Sequence, residues 1–221
     1  MFSVDPWDNM IILPRRGNMN AMIVTVSCQY GSGGHKIAEQ LAEALALPFY
    51  DESYFSSARQ EEESLDVFGE YRAELGERLY ALVTGTVNGC GRLGSAELPE
   101  GDWQFLHLTD SVKRLAEEGG CVIVADGSEC ILREHPGQIS ICVSADYEDR
   151  LRRVAARDGI PEAEAKRKLA RMDKKQKSEC EYYAGEQWDV PQRYAICVNS
   201  SFWGIDGSVE AILVAMDRRT K

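Results

Sequence analysis

The sequence predicts an α/β fold: a parallel sheet of about five strands flanked by helices. Three observations carry this. Apolar, strand-like runs alternate with stretches of helical periodicity along the chain. Two of those runs, Cys121–Ala125 and Ile139–Val143, are apolar throughout save Ser140, the pattern of parallel strands buried on both faces. The first run passes through a glycine-rich turn straight into an amphipathic helix.

Taken in order, residues 1–21 hold Pro6, Pro14, Gly17 and three asparagines and predict a disordered extension ahead of a single domain over 22–221. Ile23–Val26 is largely β-branched and reads as the first strand. After the turn, Ile37, Leu41 and Leu45 recur every fourth residue with Ala38 and Ala42 beside them, which predicts a helix with one buried stripe. Pro48-Phe49-Tyr50-Asp51 reads as a short second strand ending in an acid. Residues 52–101 are acidic and poorly periodic, and predict a helical insertion with a glycine-bearing loop. A helix over about 103–118 ends at Gly119-Gly120. The two apolar runs follow as strands, then helices over about 146–157 and 161–183, a last strand at Tyr194–Val198 and a last helix over about 206–218.

The chain has 221 residues, long enough to bury a core without staples, and a formal net charge of −11 from 25 basic and 36 acidic side chains. That balance excludes non-specific binding to nucleic-acid polymers or anionic membranes. The charge is uneven. Residues 150–177 carry 11 basic and 4 acidic side chains, so one segment of an acidic protein is basic, either as a solvated helix face or as a site for an anion. The seven cysteines include no CxxC pair, so neither a disulfide framework nor a zinc site is expected. With no secretory signal pattern and no apolar run of membrane-spanning length, a cytoplasmic location is the expectation.

Gly31-Ser32-Gly33-Gly34 lies between the first strand and the first helix. Small residues there let backbone N–H groups approach phosphate oxygens, and a helix N-terminus favours anions. The alternative is a tight turn that needs glycine only for its backbone angles. The loop is not a Walker A sequence: in that frame Gly34 takes the lysine position and His35 the hydroxyl position, with Lys36 one residue late.

The run Val24-Thr25-Val26-Ser27-Cys28-Gln29-Tyr30-Gly31-Ser32-Gly33-Gly34-His35-Lys36-Ile37-Ala38 resembles the opening of the cytidylate kinase-like family. Four later stretches fit the same family: Pro48-Phe49-Tyr50-Asp51, Leu115–Val124, Asp173-Lys174 with Tyr182-Tyr183-Ala184-Gly185 and Trp188, and Cys197–Ser201 with Gly204-Ile205-Asp206-Gly207. The resemblance implies a P-loop nucleoside-triphosphate-hydrolase-like fold with an acceptor-binding insertion at 52–101 and a mobile lid at 158–185. It implies ATP with Mg2+ as cofactors and phosphoryl transfer to a nucleoside monophosphate, CMP or dCMP first. Small-molecule nucleotides are then the partners.

On that resemblance Gly31, Ser32, Gly33, Gly34, His35 and Lys36 bind phosphate, joined by Arg150 and Arg153. Lys36, Lys174, Lys175 and Lys177 supply catalytic charge, and Asp51 and Asp126 face the acceptor. Asp126 also orients Mg2+ through water. Some of these roles have a plainer alternative. Asp126 is also placed to cap a turn or helix, and Arg150 and Arg153, spaced i, i+3, to form surface ion pairs. The family usually has arginine where this chain has Cys28, His35, Asp126 and Gln176. Loss of a transition-state arginine costs about 10³–10⁵ in rate, and lysine replaces its planar fork imperfectly. A catalytically degenerate nucleotide-binding or regulatory protein on the same fold is therefore the second reading. A kinase for a different small acceptor, suggested by the divergent insertion, is the third.

Overall fold

A computed structural model describes residues 22–64, 100–184 and 190–219. The expected extension at 1–21 and the middle of the insertion, 65–99, lie outside the described residues.

Strand β1 (Ile23–Cys28) leads into helix α1 (Gly34–Leu45), then β2 (Phe49–Tyr50) and α2 (Glu52–Ser64). Helix α3 (Glu100–Glu118) precedes β3 (Cys121–Ile123), and a short helix α4 (Ser128–Ile131) precedes β4 (Gln138–Ser144). Helices α5 (Tyr147–Asp158) and α6 (Glu162–Ala184) follow, then a 3-10 turn at Pro191–Arg193, β5 (Ile196–Asn199) and α7 (Ser200–Arg219).

The five strands form one sheet in the order β2-β3-β1-β4-β5, and every pairing is parallel. In β1 alternate residues serve the two faces. Val24 and Val26 pack with Ile37, Leu41 and Leu45 of α1 and Ile212 of α7. Ile23 packs with Val112 and Leu115 of α3 on the opposite side. The apolar stripe of α1 is buried as its period predicts.

Burial on both faces holds for β3, whose three residues are all buried, and not for β4. In β4 Ile139, Ile141 and Val143 are buried, while Gln138, Ser140, Cys142 and Ser144 are half-buried. Polar partners explain the second face. The Gln138 amide donates to Thr25 Oγ1 at 3.2 Å and to the Glu129 carbonyl at 2.8 Å, and Ser144 Oγ donates to the Val198 carbonyl at 3.2 Å.

One boundary and one short helix also differ from expectation. Helix α7 begins at Ser200, six residues early, because its first turn is a separate piece broken at Gly204 (φ 71°, ψ −177°), a backbone state that favours glycine. Helix α4 is too short to show a period.

Asp51 caps α2. Its Oδ1 accepts from the Ser53 N–H at 3.0 Å, the Ser53 hydroxyl at 2.6 Å and the Tyr54 N–H at 3.2 Å. Asp51→Ala is expected to lower stability by about 1 kcal/mol in urea titration, the usual worth of such a cap.

Candidate functional site

The glycine loop leaves β1 at its carboxyl end, where open parallel sheets bind ligands. Gly31 and Gly33 have φ of 81° and 82°, values that L side chains resist. Crowding adds a second requirement. A Cβ on Gly31 would lie 2.9 Å from Val154 Cγ2, and one on Gly33 would lie 2.6 Å from Ile205 Cδ1. Gly34 is tightest of all: its Cβ would meet Cys28 Cβ at 2.2 Å. In the Walker A frame Gly34 holds the lysine position, so the Cys28 side chain stands where a side chain there would begin.

Helix α1 has no side-chain cap at Gly33, so its first N–H groups remain for a ligand. Ser32 is fully buried, and its hydroxyl has no partner among the described residues.

Three arginines on one side of α5 hold the loop from behind. Arg150, 5 % exposed, donates to the Tyr30 carbonyl at 2.8 Å and also binds Asp173 of α6. Arg153 donates to the Ser32 carbonyl at 2.8 Å and to Ser200 Oγ at 2.9 Å; Ser200 Oγ in turn donates to the same Ser32 carbonyl at 2.5 Å. Arg157 stacks over the Tyr30 ring at 4.9 Å and binds its hydroxyl. Arg150 and Arg153 thus meet the glycine loop through its carbonyls, with their guanidinium groups already engaged. The spacing on α5 was visible in the sequence; their attachment to the loop carbonyls was not.

The expected cations fall into two groups. Lys36 on the first turn of α1 and Lys174 on α6 are exposed and form no ion pair among the described residues. Lys175 and Lys177 pair with Glu179 and Glu181 along α6 at 3.7 and 3.8 Å. His35 donates toward Asp51 across a 2.7 Å contact, which ties the start of α1 to the end of β2. Burial works to raise the Asp51 carboxyl, but the hydrogen bonds from Ser53, His35 and two backbone N–H groups hold it down at about 2.

Asp126, just beyond β3, meets Gln176 of α6. The Gln176 amide donates to both Asp126 oxygens, at 3.2 and 3.4 Å, and to the Cys28 carbonyl at 3.1 Å. Three of the four positions where the family resemblance expected arginine therefore meet in space. Burial, joined by the nearby Glu52, Glu129 and Glu179, pushes the Asp126 carboxyl up to about 7 against the opposing Gln176 hydrogen bond. Burial likewise pushes the Cys28 thiol up to about 12, with Asp126 adding to it. Cys28 is thus a packed thiol rather than a nucleophile.

The Asp126 carboxyl holds its proton more tightly folded than unfolded, so folding becomes less favourable as pH rises from about 4 to about 7. Asp126→Asn keeps the acceptor for Gln176 and removes the charge. It is expected to raise the melting temperature at pH 8 and to leave it nearly unchanged at pH 4. A pair of thermal melts at the two pH values checks this.

Sequence reasoning missed the cluster beneath this site. Arg193 reaches Cys180 Sγ at 3.3 Å, also contacts Cys130 Sγ, and lies 3.8 Å from Glu129. Its parts come from α4, α6 and the 3-10 turn, with no spacing signal to join them.

Among the described residues no three His, Cys, Asp or Glu converge as a metal site, and no helix is long and apolar enough to cross a membrane. A sequence profile described as the cytidylate kinase-like family matches residues 23–202. No curated protein matches the chain in sequence. Among solved structures, an uncharacterized protein from Eubacterium ventriosum superposes with a TM-score of 0.68 at 24% identity, covering 90% of this chain and 99% of that one. A sugar kinase from Janibacter sp. superposes with a TM-score of 0.50 at 17% identity, covering 89% of this chain and 95% of that one.

Proposed function

Because the chain belongs to the cytidylate kinase-like family, we propose that it transfers the γ-phosphoryl group of ATP to a small acceptor. The observation that carries this is the loop: two positive-φ glycines, a third glycine with no room for a side chain, and an uncapped helix N-terminus, all at the carboxyl end of β1.

In this reading the loop residues Gly31 to Lys36 cradle the phosphates of ATP, and Arg150 and Arg153 hold the cradle in shape. Lys36 supplies charge at the loop. Helix α6 acts as the lid, bringing Lys174, Lys175 and Lys177 toward the transferred group. The donor set suits Mg2+ in a limited way, with Asp126 as a single carboxylate acting through water, as such sites often use only one or two carboxylates. When bound, Mg2+ neutralises charge on the phosphates. The acceptor oxygen forms the new bond to the γ-phosphorus. The bond to the bridging oxygen breaks, and ADP leaves with its electron pair.

Family membership nominates CMP and dCMP as acceptors. The test is a coupled ADP-release assay against CMP, dCMP, UMP and AMP, with ATP binding measured by calorimetry on the same preparation. ATP binding with turnover of an acceptor is expected, and folded protein that does not bind ATP overturns the reading. A second reading, nucleotide binding without transfer, draws on Arg150 and Arg153 being engaged by the protein itself and on neutral Gln176 at the lid. It predicts ATP binding with no ADP release for any acceptor.

A further inference from the structure

Both oxygens of Asp51 are engaged within the protein. Oδ1 accepts the hydrogen bonds that cap α2, and Oδ2 accepts from His35 Nε2 at 2.7 Å. An acid so engaged is poorly placed to receive a ligand and well placed to hold a neighbour. Those bonds keep it ionised down to about 2, so it is a charged acceptor throughout the range in which an imidazole titrates, about pH 5 to 8.

The neighbour it holds is His35, the second residue of α1. The Phe49 ring fixes the imidazole from another side, edge-on at 5.3 Å. With Nε2–H given to Asp51, the tautomer follows: in the neutral ring Nδ1 presents a lone pair. Nδ1 has no hydrogen-bond partner among the described residues, and the His35 side chain is 54 % exposed. Because Nδ1 is bonded to Cγ, it lies on the side of the ring nearest the residue's own backbone. That backbone is the uncapped first turn of α1. The loop just before it holds Ser32, fully buried, whose hydroxyl also lacks a partner among the described residues.

A lone pair there repels an anion, and a proton on it binds one. The charged group in contact with His35 is Asp51. Glu52 follows it at the start of α2, Lys36 and Glu39 share the first turns of α1, and Arg153 of α5 reaches the loop at the Ser32 carbonyl. The glycines at the start of α1 are met by Cys28, held as a thiol, and by the apolar Val143 and Ile205. We propose that Asp51 is a positioning residue for His35 rather than a ligand of the acceptor, and that His35 takes up a proton at Nδ1 as it binds a phosphate oxygen of the nucleotide.

This rests on the phosphoryl-transfer reading for the nucleotide and on the His35–Asp51 contact for the proton. The proton comes from solvent, and no bond to phosphorus changes. The nucleotide-bound state holds it more tightly than the free state, so affinity is highest at low pH and falls as pH rises through neutrality.

The test is calorimetry of the full-length protein with Mg2+ and the γ-thio analogue of ATP. Titrations in two buffers of different ionisation heat count the protons taken up per nucleotide. At about pH 7.5 the wild type is expected to take up at least about half a proton more than His35→Gln, whose amide keeps the bond to Asp51 and cannot be charged. The comparison cancels protons exchanged by the nucleotide itself. Between about pH 6 and 8 wild-type affinity is expected to fall about tenfold, and that of His35→Gln by less than about twofold. Asp51→Asn is expected to bind the nucleotide with little uptake, because its amide N–H donates to Nε2 and leaves Nδ1–H on the neutral ring. Equal uptake in the wild type and His35→Gln, or full uptake in Asp51→Asn, overturns the proposal and leaves the phosphoryl-transfer reading standing. A folded wild type that does not bind the analogue overturns both.

Discussion

Gly34→Ala is expected to lower stability by about 3 kcal/mol, the upper part of the usual range for overpacking, and to lower the melting temperature by about 10 °C. The new methyl would sit 2.2 Å from Cys28 Cβ and 3.3 Å from Val143 Cβ. Neither neighbour is the free end of a flexible side chain. Cys28 is the last residue of β1 and Val143 is in β4, so relief requires the strand ends or the helix start to move. The same movement displaces the N–H groups at the start of α1, so ATP affinity is expected to fall at least tenfold. Calorimetry and thermal melts read the two effects. The double variant Cys28→Gly/Gly34→Ala removes the closest clash and is expected to regain most of the lost stability. If it does not, crowding against Cys28 is not the cause.

Arg150→Met is expected to lower stability by about 2–3 kcal/mol in urea titration and to weaken ATP binding about tenfold. Methionine keeps much of the volume and loses the charge. The Tyr30 carbonyl then loses its donor inside the protein, where a hydrogen bond from a charged group is worth about 1.5–3 kcal/mol. Asp173 adds little to the loss, because its side chain is 39 % exposed and water can replace the guanidinium. Arg150→Lys is expected to recover only part of the effect, since one ammonium cannot reach both the loop and α6 as the planar fork does.

Much of the scaffold was legible because it rests on period and on glycine. The stripe Ile37, Leu41, Leu45 marked α1, and the apolar runs marked β3 and β4. Small residues on a half-covered face hid the true character of β4: Ser140 is a single break and Cys142 is apolar, so the run reads as buried on both sides although that face is only half-buried. The break at Gly204 hid the early start of α7 for a similar reason, as a single glycine reads as a loop.

The candidate site was legible only in part. The loop announced itself by local sequence. The contacts of Arg150 with Tyr30 and of Gln176 with Cys28 and Asp126 span between 50 and 148 positions, and no local pattern encodes them. Asp51 illustrates the limit in another way. A strand-end acid suits either a ligand or a helix cap, and its hydrogen bonds to Ser53 and Tyr54 establish the cap.

The strand order has a consequence for how the chain comes to be folded. β1 finds its first neighbour at Cys121 and its second at Gln138, and β2 pairs with Val122. Among the described residues, neither β1 nor β2 has a partner before residue 121. On the ribosome, β1 therefore waits for about one hundred residues with an exposed apolar edge, guarded by little beyond the short-range docking of α1. Such long-range closure is slow, and the waiting strand is where aggregation would start. The demand for rapid, faithful synthesis of this chain falls on its first strand, long before the residues that complete the loop's support have been made.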